Sequence, residues 1–270
     1  MNIVRFNPNP NSDARVVGYL HDAIPTEMPN RMERPCVVVY PGGGYEFLSE
    51  RESDPPALAF FAKGYQVFIL YYSIGKKATD LRPLIDGSLT LMKIRGKSKE
   101  WGVLSDQIAV LGFSAGAHAA ASLGTLWDHP ALKKKIDTKG GQNRPNAMIL
   151  CYPVITAGKL AHQGSVEAVC GGTPTEEQVR FYSLENQVSS KTPPAFLWHT
   201  VEDNTVPVEN TLMFSAALQK NHIPFECHIY PKGRHGMSMC NVEVNAENNH
   251  CATWFPLCAE WLGDLFHFKY

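Results

Sequence analysis

Short runs of apolar residues alternate with longer amphipathic segments along most of the chain. The apolar runs are rich in β-branched and aromatic residues and are bounded by turn residues, as is typical of β-strands. They cover residues 37–40, 66–72, 107–111, 147–151, 195–199 and 225–230. Several are apolar almost throughout, which indicates strands buried on both faces. The pattern therefore predicts an α/β fold with a mostly parallel central sheet and helices on both faces.

Helical periodicity separates these strands. Residues 57–63 follow a Ser-Asp-Pro-Pro start, in which Ser53 can cap a helix whose first turn holds proline, and Gly64 can end that helix. Apolar residues at helical spacing predict further helices over residues 81–101 and 208–220. The aromatic-rich stretch 253–268 predicts a last helix that packs on the sheet.

One connection is too long for a simple link between strands. Residues 153–192 interrupt the alternation, and the capping-box spacing from Thr175 to Gln178 predicts a short helix up to about Leu184. No repeat or long linker divides the chain. We therefore predict a single domain over residues 1–270, in which 153–192 is an insertion beside the substrate site.

Composition and charge narrow the classes of function. The chain has 270 residues, of which 44% are hydrophobic and 19% charged, as in ordinary globular proteins. A formal net charge of −1, without a stripe of Lys and Arg, argues against nucleic-acid binding. No leader pattern and no apolar segment of about 18 residues is visible, so we expect a soluble protein without a membrane partner. Seven cysteines without a Cys-x-x-Cys pair favour reduced thiols in a cytoplasm, and packing rather than metal binding.

The sharpest motif is Gly-Phe-Ser-Ala-Gly at residues 112–116. It lies between a predicted strand and a helix-forming segment, which is the context that a nucleophile turn requires. Side chains at the flanking positions would collide with the strand and the helix, so glycines stand there. We predict Ser114 as the nucleophile, with the backbone N–H of Ala115 facing the same space. His118 lies one turn later inside the helix and is interpreted as a structural histidine.

A second glycine-rich segment, Pro-Gly-Gly-Gly-Tyr at residues 41–45, follows the first of these predicted strands. Glycines let a backbone present its N–H groups without obstruction by side chains. Attack on an ester places negative charge on the carbonyl oxygen, which such donors stabilise. We predict an oxyanion hole formed by Gly43, Gly44 and Ala115. The Gly-Lys-Ser/Thr ending of a phosphate-binding loop is missing.

Serine needs a base to accept its proton during attack. Of ten histidines, His235 lies in a glycine-flanked loop directly after the strand predicted over residues 225–230. An acid is expected between serine and histidine in chain order, on the loop after the preceding strand. Both Glu202 and Asp203 occupy that loop, and position alone does not separate them.

Together these motifs resemble a family of small α/β-hydrolases, the acetyl-esterase and acetylxylan-esterase-like serine hydrolases related to hormone-sensitive lipase. The resemblance rests on residues 40–45, 108–118, 192–200, 203, 206–207 and 233–236. It implies the α/β-hydrolase fold, Asp203 as the acid, and hydrolysis of short acyl esters, often acetyl groups on sugars, without metal or cofactor. Pro41 stands where the lipase-type motif has histidine, and Ala117 stands where a further glycine is frequent, so the substrate preference of no single subgroup transfers.

We therefore expect a cytoplasmic serine carboxylesterase that acts through an acyl-enzyme on Ser114. Its expected partner is a small ester, such as an acetylated sugar or xylo-oligosaccharide. Tyr45, Phe47 and Tyr182 are candidate aromatic residues of the substrate pocket, with ordinary packing as the alternative for each. A peptidase or thioesterase would use the same residues, and a noncatalytic binding protein is a further alternative. The sequence leaves the natural substrate and the oligomeric state open, a homo-oligomer included.

Overall fold

The computed structural model describes residues 1–269, which form an eight-stranded sheet. Tyr270, the last residue of the predicted domain, lies outside the described residues. The strands are β1 Asn2–Phe6, β2 Arg15–Leu20, β3 Arg34–Tyr40, β4 Gln66–Tyr71, β5 Val103–Phe113, β6 Ala147–Cys151, β7 Ala195–Thr200 and β8 Phe225–Tyr230. Their order across the sheet is β1, β2, β4, β3, β5, β6, β7, β8. Strand β2 is antiparallel to both of its neighbours, and all pairs from β4 to β8 are parallel.

Helices cover both faces of the sheet. They are α1 Asp54–Ala62, α2 Arg82–Gly96, α3 Ser98–Trp101, α4 Ala115–Leu126, α5 Pro130–Lys133, α6 Gln163–Cys170, α7 Glu176–Tyr182, α8 Glu209–Lys220 and α9 Trp254–Leu265. Alternate side chains of β3 enter two separate apolar clusters, because successive residues of a strand point to opposite faces. Val38 belongs to the cluster that includes residues of α2, α4 and α8, whereas Val37 belongs to the one that includes residues of α1 and α9. The two-sided burial expected from the continuous apolar runs is therefore confirmed.

All six predicted strands are present, with ends that differ by a few residues. The apolar runs did not reveal β1 and β2. Strand β1 is largely exposed, and β2 buries only alternate residues, so neither contains a continuous apolar run. Strand β1 is the edge strand, and β2 lies second from the edge, between β1 and β4.

The helices also follow the sequence pattern with two corrections. Ser53 does not cap α1, because its hydroxyl donates to the Ser49 carbonyl at 2.9 Å instead. The helix predicted over residues 81–101 is divided at Lys97 into α2 and α3. Gly64, at φ +89°, follows the end of α1 as expected.

The connection between β6 and β7 contains α6 and α7. The predicted capping box is confirmed: Thr175 Oγ1 accepts the Gln178 N–H at 3.2 Å, and Gln178 Oε1 accepts the Thr175 N–H at 2.9 Å. Among residues 1–269, no helix has both the length and the apolar character needed to cross a bilayer. All seven cysteines are free thiols, and most of them are buried.

Parallel pairing decides where the candidate residues meet. Strands β3, β5, β6, β7 and β8 run in one direction, so the loops that follow them open at the same edge of the sheet. Ligands of open α/β sheets bind outside this carboxyl edge. The glycine loop follows β3, Ser114 follows β5, Asp203 follows β7 and His235 follows β8.

Candidate active site

Ser114 lies in a strained turn between β5 and α4, with φ 53° and ψ −119°. Such backbone angles persist only where the surrounding structure enforces them, and they cluster at functional sites. A Cβ atom on Gly112 would overlap the backbone of Ala117, and one on Gly116 would overlap the carbonyl oxygen of Tyr40. The two glycines are therefore required by contacts between strand and helix, as the motif indicates.

The Ser114, His235 and Asp203 side chains form one hydrogen-bonded chain. His235 Nε2 lies 2.8 Å from Ser114 Oγ, and His235 Nδ1 lies 2.6 Å from Asp203 Oδ2. With its Nδ1–H donated to the carboxylate, the imidazole has Nε2 free to accept the serine proton. The loops after three different strands thus bring together groups that are far apart in sequence. This arrangement supports nucleophilic attack by the serine oxygen.

Asp203 is held as a buried carboxylate by donors on both oxygen atoms. Oδ1 accepts the N–H groups of Thr205 and Val206, each at 2.9 Å, and Oδ2 also lies 3.2 Å from His199 Nε2. Burial by itself would raise the pKa of Asp203, but the hydrogen bonds from His199 and His235 outweigh it, and the pKa of the carboxyl lies below its usual range. The group is therefore ionised at neutral pH.

Glu202, the other acidic residue of this loop, is directed elsewhere. Its carboxylate accepts the Gly233 N–H at 3.2 Å, and its side chain is exposed. It contacts the loop that carries His235 without bonding to the imidazole. Asp203 is the acidic residue that reaches the histidine.

The glycine loop turns its carbonyl groups inward and leaves N–H groups free. The Gly43 carbonyl accepts from Glu46 and Phe47, and the Gly42 carbonyl accepts from Ser49. Within residues 1–269, the N–H groups of Gly43, Gly44 and Ala115 have no protein acceptor. The first two have φ +124° and φ +66°. Gly43 requires the absence of a side chain, because a Cβ atom there would overlap the carbonyl of Phe47.

A cavity of about 410 Å³ opens over Ser114 and His235. Gly43, Gly44, Glu46, Phe47, Arg51 and His162 are also among its lining residues. Phe47 is the large aromatic side chain of this lining, and it is 59% exposed. The cavity therefore combines one aromatic wall with several charged or polar groups.

Tyr45 and Tyr182, also proposed from the sequence as pocket aromatics, lie away from this cavity. Tyr45 is 1% exposed, and its hydroxyl lies 2.9 Å from His118 Nδ1. The Tyr182 carbonyl accepts from His118 Nε2 at 3.1 Å, and both tyrosines line a separate small apolar cavity. For these two residues the structure is that of packing, the alternative interpretation, because the Tyr45 hydroxyl is bonded to His118 and the Tyr182 hydroxyl to the Val169 carbonyl, at 3.4 Å.

His118 itself is a fully bonded structural histidine, as expected. Its Nε2–H donates to the Tyr182 carbonyl, so its Nδ1 accepts the Tyr45 hydroxyl proton. Burial lowers the pKa of His118 to about 4, with only partial opposition from the bond to Tyr182. The imidazole is therefore neutral and does not contact Ser114.

Two further polar residues of the cavity escaped the sequence analysis. His162 is the N-cap residue of α6 and accepts the Ser165 N–H through Nδ1 at 3.3 Å, which leaves its Nε2–H available to the cavity. Burial and then the neighbouring His235 lower the pKa of His162, which favours the neutral imidazole. Glu52 is buried beside the glycine loop. His162 lies in the predicted insertion, which is the one signal that pointed to it, whereas no local pattern marks Glu52.

The mostly parallel sheet, its helices on both faces and the serine turn at its carboxyl edge define an α/β-hydrolase fold. Residues 24–218 match the model of the BD-FAE family. The chain belongs to this family.

Relatives with solved structures or assigned activities are similar over most of the chain. Endo-1,4-beta-xylanase B of Butyrivibrio fibrisolvens is 35% identical over 83% of this chain, and acetylxylan esterase of Xylanibacter ruminicola is 27% identical over 88%. The chain spans only 35% and 46% of the lengths of these two proteins. The crystal structure of an acetyl ester-xyloside bifunctional hydrolase from Caldicellulosiruptor lactoaceticus is 37% identical, with a TM-score of 0.85. That alignment covers 98% of this chain and 92% of the other.

Proposed function

We propose that this chain is a serine carboxylesterase that hydrolyses short-chain acyl esters, in particular O-acetyl groups on sugars or xylo-oligosaccharides. The observation that carries the proposal is the hydrogen-bonded chain from Asp203 through His235 to Ser114, which opens into a cavity beside three unbonded N–H groups. Relatives named as an acetylxylan esterase and an acetyl ester-xyloside hydrolase support the substrate class.

The reaction follows from these positions. Ser114 Oγ attacks the ester carbonyl carbon while its proton passes to His235 Nε2, and the N–H groups of Gly43, Gly44 and Ala115 stabilise the oxyanion. The imidazolium then returns the proton to the leaving alcohol as the ester bond breaks, which leaves an acyl group on Ser114. Water, deprotonated by the same imidazole, attacks this acyl-enzyme, and the acid and free Ser114 result. Asp203 orients His235 and stabilises its positive charge in both steps.

The cavity lining favours a small acyl group and a polar alcohol. Glu46 and Arg51 are exposed at the cavity, and the Nε2–H of His162 is available as a donor. Such groups can exchange hydrogen bonds with sugar hydroxyls, whereas a long acyl chain requires an extended apolar wall that Phe47 alone does not provide. The proposal includes the insertion 153–192 as a wall of the substrate site, since His162 and Gly164 reach the cavity from it. It also includes a reducing compartment such as the cytoplasm, with the free cysteines as support.

The test is acetate release from acetylated xylo-oligosaccharides, compared with simple aryl acetates, by the wild-type chain and the Ser114→Ala variant. We expect turnover of both substrates and a loss of several orders of magnitude in the variant. Ser122→Ala, a buried serine of the same helix away from His235, is the matched control and should retain activity. Labelling by a fluorophosphonate should require Ser114. Unchanged turnover in Ser114→Ala, or the absence of labelling in folded protein, would refute the mechanism. Cleavage of peptides or thioesters in place of acetyl esters would refute the substrate class.

A further inference from the structure

A buried carboxylate lies between the glycine loop and the loop that carries His235. Glu52 is 3% exposed and bonds through both of its oxygen atoms. Oε2 accepts the Gly42 N–H at 2.9 Å, and Oε1 accepts the Tyr152 hydroxyl at 2.7 Å. A buried carboxylate is costly unless donors satisfy it, so its two bonds impose a definite geometry on both partners.

Tyr152 extends this contact to the histidine loop. Its hydroxyl oxygen accepts the Ser238 N–H at 2.8 Å, and its own proton is donated to Glu52. Burial and the adjacent Glu52 carboxylate raise the pKa of Tyr152, so the phenol remains protonated and able to donate. The Tyr152 ring also lies 5.0 Å from the His235 ring, edge to face.

Arg51, the residue before Glu52, makes a second contact with the loop that carries His235. The Ser238 hydroxyl donates to the Arg51 carbonyl at 2.5 Å. Tyr152 and Ser238 have φ 37° and φ 48°, conformations that are unfavourable for residues with side chains. Strain of this kind persists where neighbouring bonds determine the backbone, and both residues are bonded within this network.

The bond to Gly42 bears directly on the proposed oxyanion hole. Glu52 occupies the Gly42 N–H, and Ser49 donates to the Gly42 carbonyl at 3.0 Å, so both polar groups of Gly42 are held by the protein. The chain direction at the following two residues is thereby set, and the N–H groups of Gly43 and Gly44 stay unbonded. Position 42 has no room for a side chain, because a Cβ atom there would lie 2.6 Å from Glu52 Oε2 and 3.0 Å from Ser114 Cβ.

We propose that Glu52, acting with Tyr152, is a positioning residue that aligns the oxyanion donors with the imidazole of His235. The inference rests on the proposed function. Glu52 does not itself transfer a proton, because both of its oxygen atoms are committed to Gly42 and Tyr152. Its effect is on the transition state, where the distance from the N–H donors to the oxyanion matters most.

The experiment compares Glu52→Gln and Tyr152→Phe with the wild-type chain on a short aryl ester. Glu50→Gln is the matched control, since Glu50 is an exposed carboxylate of the same 3-10 turn. We expect kcat to fall about 10- to 100-fold in Glu52→Gln with KM changed less than about two-fold, because ground-state binding does not use the oxyanion geometry. The rate of fluorophosphonate labelling should fall by a similar factor. Tyr152→Phe should show the same split to a smaller extent, and Glu50→Gln should match the wild type.

Three outcomes would overturn the inference: wild-type kcat in folded Glu52→Gln, a rise in KM at unchanged kcat, or an equal loss in Glu50→Gln. If Glu52→Gln does not fold, the kinetics of Tyr152→Phe test the inference, since that substitution removes only a hydroxyl group. Wild-type kcat in that variant overturns the inference, and a lowered kcat at unchanged KM supports it. Failure of the proposed function is distinct, because the wild-type chain itself would then neither hydrolyse the ester nor take up the label.

Discussion

His235 Nδ1 lies 2.6 Å from Asp203 Oδ2, and a second histidine reaches the same oxygen atom from the other side. His199 Nε2 is 3.2 Å from that oxygen and 3.0 Å from the Val206 carbonyl, so its Nε2–H is shared between two acceptors. Its Nδ1 accepts from the Thr211 hydroxyl at 2.8 Å. The carboxylate is therefore held by the interior of the protein independently of His235.

Replacement of Asp203 by Asn should lower kcat about 10³- to 10⁴-fold, because an amide no longer holds the Nδ1–H tautomer of His235 or stabilises the imidazolium. The measurement is kcat on an aryl acetate, with circular dichroism as a check of folding. Glu202→Gln is the control, since Glu202 bonds only the Gly233 N–H and should keep kcat within about three-fold. A larger loss of kcat in Glu202→Gln than in Asp203→Asn would show that Asp203 is not the acid that supports His235.

The two glycines of the proposed oxyanion hole should differ in their tolerance of alanine. At Gly43 a methyl group meets the Phe47 carbonyl at φ +124°, so Gly43→Ala must move the loop and should lower kcat/KM by about 10² or more. At Gly44, φ is +66° and an added Cβ would find its nearest atom, His162 Cε1, at 3.7 Å. Gly44→Ala should therefore cost about 1 to 2 kcal/mol of stability, and it should lower kcat/KM less than Gly43→Ala does. Kinetics and thermal unfolding of the pair provide the comparison. Equal activities would show that the loop does not depend on Gly43.

His118 should make stability depend on pH. Because burial lowers its pKa from 6.5 to about 4, the unfolded chain takes up a proton below about pH 6.5 that the folded chain refuses. The corresponding stability is complete above that pH and is lost as the pH falls toward the folded-state pKa, by about 3 kcal/mol in all. Between about pH 7.5 and about pH 4.5 the unfolding free energy of the wild type should therefore fall, and the fall should be about 2 to 3 kcal/mol smaller in His118→Gln.

The matched control for this measurement is His250→Gln, because His250 is exposed. Denaturant titrations at the two pH values should give the control the same pH dependence as the wild type. If the unfolding free energy of His118→Gln falls with pH as much as that of the wild type, other groups account for the acid sensitivity.

Phe47 should affect binding rather than chemistry. Its ring is exposed at the cavity, and its hydrogen bond to the Gly43 carbonyl is made by the backbone N–H, which alanine retains. Phe47→Ala should therefore raise KM about three- to ten-fold and leave kcat within about two-fold. Saturation kinetics on an aryl ester measure both constants. Leu58→Ala, an exposed apolar residue of α1, should change neither. A fall in kcat at constant KM would mean that Phe47 stabilises the transition state and not the bound substrate.

Sequence alone was sufficient where the signal is local. Apolar runs marked β3 to β8, the Thr175 capping box marked α7, and the glycines around Ser114 marked a strand-to-helix turn. These patterns are readable because strand and helix periods, caps and tight turns depend on residues a few positions apart. Chain order also placed Ser114, the acidic pair and His235 on loops that follow strands of a parallel sheet, so a shared edge was predictable.

Tertiary structure decided everything that depends on contacts between distant segments. Strands β1 and β2 are recognised by their pairing at the sheet edge and not by a continuous apolar run. Tyr45 and Phe47 are two positions apart, yet one side chain turns inward to His118 and the other faces the cavity. The bonds of Glu52 to Gly42 and Tyr152 join segments that only the folded sheet brings together. A local pattern carries no information about such partners, because the free energy that selects them arises from burial and hydrogen bonding across the whole fold.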